Sequence, residues 1–172
     1  MNPFNEVNEI KKPSQEVSNR SKGFENTNKD VNEPRHIKTI NEDKAGTEYG
    51  GVLYQRRVFR INGEKVEGVF PRFDSEFNAF LPKRLWYASD NEQFKYCTEK
   101  LKQKIESDPE FAKKFTPRQL EQIRDGAPRI SGLTWHHKEY PPGAMQLVDS
   151  RTHEFCRHTG GRSIWGGGSG CR

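Results

Sequence analysis

The sequence has few cysteines, few apolar residues and no long hydrophobic run. Its three cysteines are scattered among 172 residues and form no CxxC pair, which argues against a disulfide framework or a paired-cysteine zinc knuckle. No run of about 18 apolar residues exists, so we expect no transmembrane helix. The first residues, MNPFNEVNEIKK, lack the apolar centre of a signal peptide, so if the protein crosses a membrane, we expect another module to carry it.

The composition is also lean for a globular chain. Hydrophobic residues make up 31% and charged residues another 31%, so we expect part of the chain to be unfolded on its own. Residues 1–45 carry eight basic and eight acidic side chains, so the whole net charge of +5 belongs to residues 46–172. A basic domain of this kind is compatible with a polyanionic partner.

The composition divides the chain into two parts. Residues 1–45 are rich in Asn, Lys, Glu and Ser, and their single apolar residues are too isolated to build a core. We interpret this part as a disordered linker or docking segment. A folded domain is predicted over residues 46–172, with order beginning near Gly50.

The first part of this domain predicts a hairpin. Asn62-Gly63 joins two β-rich runs, and this dipeptide favours a type I′ turn between strands at 52–61 and 64–70. The segment PRFDSEFNAFLPKRLW, residues 71–86, has two prolines and no clear period. We therefore predict that it is a loop.

Helical signals follow this loop. Ser89 and Glu92, three residues apart, make a capping box. Apolar residues then recur every three or four positions and predict one buried stripe, at Phe94, Cys97, Leu101 and Ile105. Thr116 and Pro117 open a second, short helix that Gly126 ends.

The C-terminal part predicts a strand, a loop, a strand and a helix. RISGLTWHH, residues 129–137, has the pattern of a strand, and AMQLV, residues 144–148, is typical of the returning strand. A short helix is predicted over roughly 151–157. The pair Gly160-Gly161 is predicted to end it.

Four of the five histidines lie in these elements, within 23 consecutive positions: His136, His137, His153 and His158. Neighbours in a strand point to opposite faces, so one of the pair can bind a metal while the other faces a substrate. Three neutral imidazoles suit a divalent transition metal and leave a position open for water or phosphate. His153 and His158 are about 140° apart on an ideal helix. Either the helix ends near Arg157 and His158 returns on the glycine turn, which we prefer, or only one of the two is a ligand.

Three segments in this order resemble the HNH, or ββα-metal (His-Me finger), nucleases: TWHH at 134–137, MQLVDSRTH at 145–153 and HTGGRSIWGGG at 158–168. The similarity is closest to the Trp-His-His branch of bacterial polymorphic and contact-dependent toxins, which resembles the DNase domains of colicin-like bacteriocins. It is strongest over 130–168, extends loosely to VEGVFPRFDSEF and ASDNEQF, and does not cover 1–45. The resemblance implies an α+β fold, in which a small ββα-metal core at about 130–161 packs on an N-terminal hairpin and two or three helices.

The resemblance also implies roles for individual residues. His137 would be the general base that takes a proton from the attacking water, a task that suits an imidazole with a pKa near 6.5. His136, His153 and His158 would bind one divalent metal ion, which is Zn, Ni, Mg or Mn. Basic residues beside the site would contact substrate phosphates, and an amide would support a ligand from outside the metal shell. The basic residues are Arg162, Arg157 and Lys138, and the supporting amide is that of Gln146.

The implied function is a metal-dependent endonuclease that hydrolyses phosphodiester bonds, with DNA as the preferred substrate. It would act as the C-terminal toxin domain of a larger bacterial antagonism protein, which is secreted or delivered into a target cell and acts in its cytoplasm. Such toxins are paired with immunity proteins. The basic charge of the domain predicts that its cognate immunity protein is acidic.

Three alternatives stay open. A ribonuclease toxin could use the same scaffold, because the metal chemistry does not depend on a missing 2′-hydroxyl. A structural zinc module could bind nucleic acid without cutting it, through His153, Cys156, His158 and Cys171, but this would leave His137 unexplained. An adaptor with a decayed nuclease fold is disfavoured, because all four histidines are present.

Overall fold

The computed structural model describes residues 33–171, which form helices and two small sheets. The strands are β1 (Arg35–His36), β2 (Glu48–Tyr49), β3 (Val52–Ile61), β4 (Glu64–Arg72), β5 (Phe77–Phe80), β6 (Leu133–His137) and β7 (Ala144–Asp149). The helices are α1 (Asp90–Ser107), α2 (Pro109–Ala112), α3 (Pro117–Arg124), α4 (Ser150–Phe155) and α5 (Gly161–Trp165). The predicted α+β class is confirmed. Within the described residues, no helix has the length and apolar character needed to cross a membrane.

The first sheet has the order β1-β4-β3-β2 and is built around a long hairpin. β3 and β4 pair antiparallel from Leu53 and Arg72 to Ile61 and Glu64. Asn62 and Gly63 turn between them with φ of 50° and 82°, as a type I′ turn requires. The predicted hairpin is confirmed, and its second strand runs two residues beyond the predicted end.

Residues 33–45 belong to this sheet. β1 pairs in parallel with β4, and a 3-10 turn covers Glu42–Lys44. Thr39 is buried, and its hydroxyl accepts a hydrogen bond from the backbone of Val69 at 3.3 Å. Regular structure therefore begins before the boundary that we placed after residue 45. Residues 1–32, the rest of the predicted linker, lie outside the described residues.

The helices begin where the capping signals predicted. The Ser89 hydroxyl accepts from the Glu92 backbone, and the Glu92 carboxylate accepts from the Ser89 backbone. The same reciprocal pair joins Thr116 and Gln119 at the start of α3. The predicted stripe of α1 is buried at Cys97, Leu101 and Ile105, with Phe94 half-buried, and packs with the inner face of the second sheet.

The second sheet has the order β5-β7-β6, and its edge strand lies in a segment predicted as loop. That prediction was wrong over Phe77–Phe80, which pairs antiparallel with β7 from Phe77 and Leu147 to Phe80 and Ala144. The pairing partner lies far along the chain. A local pattern between two prolines therefore carried too little information to identify this strand.

β6, β7 and α4 follow one another as a ββα unit, and α4 packs on both strands. The helix ends at Phe155, two residues earlier than predicted. The prediction that the two glycines end it was wrong, because Gly160 is instead the N-cap of α5 and Gly161 its first residue. A β-carbon at Gly161 would collide with the carbonyl oxygen of Lys138, so glycine lets α5 approach the end of β6 closely.

Candidate functional site

The strand β6 places its two histidines on opposite faces of the second sheet. His136 lies opposite Gln146 of β7 and packs edge-on against Phe73, with ring centroids 5.0 Å apart. His137 turns to the other face, where its ring lies 5.9 Å from Phe94 and 5.7 Å from Trp165. Both side chains are buried. The alternation expected for a strand thus separates the surroundings of two adjacent imidazoles.

On the His136 face, three imidazoles from three segments converge. His136 comes from β6, His153 from α4 and His158 from the chain after α4, and one nitrogen from each ring lies within 4.8 Å of the others. His158 Nε2 is 3.2 Å from His136 Nδ1. The ring of Phe73 packs against all three. Within residues 33–171, no other set of three metal-ligating side chains converges in this way.

His158 reaches the cluster because the helix ends before it. After Phe155 the chain leaves the helical path, and the carbonyl of Arg157 accepts hydrogen bonds from the Asn41 amide and from the Tyr54 hydroxyl. The Ile40 backbone donates to the Thr159 hydroxyl at 3.0 Å. This geometry corresponds to the first of the two alternatives above. Hydrogen bonds from Ile40, Asn41 and Tyr54 thus hold the segment that brings His158 to the other two imidazoles.

Burial favours the neutral form of the three imidazoles. It lowers the pKa of His136 well below the usual value, and the neighbouring histidines lower it further. Burial and then the charge of His158 lower the pKa of His153 to about 4. Burial also lowers the pKa of His158, against an opposing hydrogen bond to the Cys156 carbonyl. A neutral imidazole is the form that binds a metal, so this donor set fits a divalent transition ion.

The structural zinc alternative requires cysteine ligands. The thiol of Cys156 donates to the carbonyl of Tyr49 at 3.3 Å and is not part of the histidine cluster. The side chain of Cys171 lies outside the described side chains. The geometry therefore favours a three-histidine donor set over a mixed histidine and cysteine set.

On the opposite face, the first turn of α1 surrounds His137. Its Nε2 lies 2.6 Å from Gln93 Oε1 and 3.9 Å from Asp90 Oδ1. The same carboxylate oxygen is 3.4 Å from Arg162 Nη2, which also donates to the Ala88 carbonyl at 2.9 Å. The side chain of Arg162 is almost completely buried. The His137 face thus holds a polar network of an amide, a carboxylate and a guanidinium.

Residues from both faces of β6 line one cleft of about 470 Å³, which we call the histidine cleft. Its lining includes all four clustered histidines, Asp90, Arg157 and Arg162. Of the residues predicted to bind substrate, Arg157 is exposed at this cleft and Arg162 lies in its wall.

Two predicted residues, Lys138 and Gln146, are not among those that line the histidine cleft. Lys138 and Gln146 line a separate, smaller pocket beside β5. The side-chain amide of Gln146 donates to Asn78 Oδ1 at 3.3 Å. Its predicted supporting role for a ligand remains a prediction.

Sequence reasoning missed Asp90 and Gln93. They are three residues apart and so share one face of α1, a spacing that was visible in the sequence. The overlapping capping box already explained why polar residues occur there, and nothing local indicated contact with His137, 44 positions away.

Comparison with known proteins identifies the family. A family model described as the DNase/tRNase domain of colicin-like bacteriocin matches residues 62–160, more than half of the 172 residues. The match includes all four clustered histidines. Searches of curated proteins and of solved structures gave no significant match. The chain therefore belongs to the DNase/tRNase domain family of colicin-like bacteriocins, a family of nuclease toxin domains.

Proposed function

We propose that this chain is a metal-dependent endonuclease of the HNH type that hydrolyses phosphodiester bonds in DNA. The observation that carries the proposal is the arrangement of the four histidines. Three ring nitrogens lie within 4.8 Å of one another, and the fourth imidazole lines the same cleft from the other face of the sheet. This arrangement supplies a ligand set and a separate base, which together can act on a single phosphate.

His137 is the proposed general base. Its imidazole would take a proton from the water that attacks phosphorus, as the second histidine of the pair does in the HNH nucleases that this chain resembles. The carboxylate of Asp90, 3.9 Å from His137 Nε2, would stabilise the positive charge that the ring gains. The ion pair of Asp90 with Arg162 holds this carboxylate in place.

His136, His153 and His158 are the proposed ligands of one divalent ion. Three imidazole nitrogens favour Zn²⁺ or Ni²⁺ over Mg²⁺ or Mn²⁺, which prefer oxygen ligands. When bound, the ion supplies Lewis-acid stabilisation of the negative charge that develops on the phosphate oxygens. The Phe73 ring keeps the three imidazoles together and covers one side of the cluster.

Basic side chains would bind the substrate backbone. Arg157 is the best placed, because it is exposed at the histidine cleft. Arg162 lines the cleft wall and would act together with Asp90. Lys138 lies beside another pocket and would contact a phosphate further along the strand of nucleic acid. The basic excess of residues 46–172 supports a polyanionic substrate.

The biological setting is proposed from the family. The chain would be the toxin domain of a larger bacterial antagonism protein, delivered into a target cell and active in its cytoplasm. A cognate immunity protein would neutralise it. An acidic partner would complement the net charge of +5.

A ribonuclease is the second candidate. The family description includes tRNase as well as DNase domains. Neither the proposed base nor the proposed ligands require the absence of a 2′-hydroxyl.

A cleavage assay separates these functions. Supercoiled plasmid and, in parallel, transfer RNA would be incubated with the full chain and Zn²⁺, Ni²⁺, Mg²⁺ or Mn²⁺. We expect metal-dependent nicking of the plasmid and a fall of about 10²- to 10⁴-fold in rate for His137→Ala, the range typical of a general base. The matched control is His36→Ala, because His36 is an exposed histidine that pairs with Glu42 and is not among the residues that line the histidine cleft.

Each other outcome has a definite meaning. Cleavage of RNA but not DNA would favour the ribonuclease. Tight zinc binding without cleavage of either substrate would favour the structural zinc module. Cleavage that His137→Ala leaves unchanged would contradict the base assignment.

A further inference from the structure

A buried glutamine holds the imidazole of His137 in a defined state. Gln93 is completely buried in α1, and its amide nitrogen lies 2.7 Å from the carbonyl oxygen of Leu85 and 3.0 Å from that of Trp86. A backbone carbonyl only accepts hydrogen bonds, so the atom that faces these two oxygens must be the NH₂ group. The orientation of the amide is therefore fixed, with Oε1 turned toward His137.

This orientation determines which nitrogen of His137 carries the hydrogen. Gln93 Oε1 lies 2.6 Å from His137 Nε2, and an amide oxygen only accepts hydrogen bonds. Nε2 must therefore be protonated and donate. In a neutral imidazole only one nitrogen carries a hydrogen, so the lone pair resides on Nδ1.

We propose that Gln93 is a positioning residue that fixes His137 in its Nε2–H tautomer, so that Nδ1 is the atom that takes the proton in catalysis. The catalytic part rests on the proposed function, whereas the tautomer does not. After proton transfer to Nδ1, the Nε2–H group still donates to Gln93, and the hydrogen bond persists through the step. The ring then needs no reorientation as its charge changes.

The alternative is a merely structural role for Gln93. Its two hydrogen bonds to Leu85 and Trp86 join α1 to the 3-10 turn at Lys83–Leu85, and this alone would explain a buried amide. Such a role would make Gln93 variants unstable without any effect on the hydrogen positions of the imidazole. The test must therefore observe the ring itself.

Long-range ¹H–¹⁵N correlation spectra of the full chain read the tautomer of each histidine directly. We expect the native protein at pH 7.5 to show His137 with a protonated Nε2 and an unprotonated Nδ1. The spectrum of His137→Ala assigns the signal, because the His137 correlations are missing from it. A protonated Nδ1 in the native protein would overturn the proposal without any variant. This result would leave the cleavage assay unaffected, so the failure of this proposal and that of the proposed function are distinguishable.

One variant and one control separate positioning from packing. Gln93→Met removes the acceptor, and we expect a mixed tautomer and a kcat lower by about 10- to 100-fold, with unchanged metal affinity. The control is Thr98→Val, which removes another buried hydrogen bond of α1, to Trp135 Nε1 at 3.2 Å, and should keep both the tautomer and kcat.

A native tautomer and a native kcat in Gln93→Met would contradict the proposal. A loss of the tautomer in Thr98→Val as large as that in Gln93→Met would also contradict it, because it would mean that any loosening of α1 has the same effect.

Discussion

The two faces of β6 carry adjacent histidines but are built in different ways. His136 meets His153 and His158, which follow it by no more than 22 positions. His137 meets Gln93, which precedes it by 44 positions. The three proposed metal ligands thus come from 23 consecutive positions. The proposed base instead contacts α1, a helix from an earlier part of the chain. One sequence motif can thus specify the proposed ligands without specifying the surroundings of the proposed base.

The two faces also differ in polarity. The metal side consists of three imidazoles around the ring of Phe73, and burial lowers the pKa of all three histidines. The base side joins Gln93, Asp90 and Arg162, which together supply an acceptor, a negative charge and its counter-ion. We therefore expect substitutions on the first face to affect metal affinity and substitutions on the second to affect the rate of cleavage.

The largest effect is expected on the metal side. His158→Ala removes one of the three proposed ligands. Loss of a residue that only supports a ligand typically costs about 10- to 100-fold in metal affinity, so we expect the loss of a ligand to cost at least about 100-fold. Competition with a chelator of known zinc affinity measures this change. His36→Ala is the control, and an equal loss in both variants would argue against the cluster.

The next effect is expected on the base side. Asp90→Asn removes the charge that lies 3.9 Å from His137 Nε2, and we expect kcat to fall by roughly tenfold with unchanged zinc affinity. The control is Asp43→Asn, an exposed carboxylate paired with Lys44. If Asp90→Asn weakened zinc binding and left kcat unchanged, the division between the two faces would be wrong.

A smaller effect is expected from the hydrogen bond of Tyr54 to Arg157, which helps to hold His158 in the histidine cluster. Tyr54→Phe removes the hydroxyl that donates to the Arg157 carbonyl at 3.1 Å. The net value of one hydrogen bond is about 1 kcal/mol, so we expect a loss of about fivefold in zinc affinity. Tyr87→Phe removes an exposed hydroxyl and is the matched control. Equal zinc affinities of the two variants would show that this contact does not support the metal side.

The smallest effect concerns the pH dependence of the metal-free protein. The pKa of His153 is about 4 in the folded chain, whereas a histidine in an unfolded chain titrates near 6.5. Between these values the unfolded chain binds more protons, so the free energy of unfolding falls as the pH falls from about 6.5 to about 4, and this contribution is level above and below that range.

Urea unfolding in the presence of EDTA at several pH values checks this dependence. His153→Gln should show a weaker decline of the midpoint with acidity than the native chain. Identical declines in the two proteins would mean that His153 is not held neutral by burial.

Much of the fold was readable from local signals. The Asn62-Gly63 turn and the two capping boxes predicted the first hairpin and the starts of α1 and α3, because each depends on residues a few positions apart. The strand at Phe77–Phe80 was missed, because its identity depends on pairing with β7. The short helix that starts at Gly161 was missed for a related reason, since its position depends on close approach to the end of β6.

The candidate site was also predictable only where it depends on residues close together in the sequence. The crowding of histidines and the motif predicted which imidazoles would come together. The hydrogen bonds of Asn41 and Tyr54 to Arg157, and the contact of Gln93 with His137, join residues more than 40 positions apart. Contacts of this kind follow from the packed fold, which a local pattern does not encode.

The central claim is that His136 binds the metal while His137 does not. Calorimetric titration of Zn²⁺ into the native chain, His136→Ala and His137→Ala tests it most directly. We predict that His137→Ala keeps the stoichiometry and the affinity of the native chain and that His136→Ala loses at least about 100-fold in affinity. A loss of zinc affinity in His137→Ala as large as that in His136→Ala would contradict the assignment of separate roles to the two histidines.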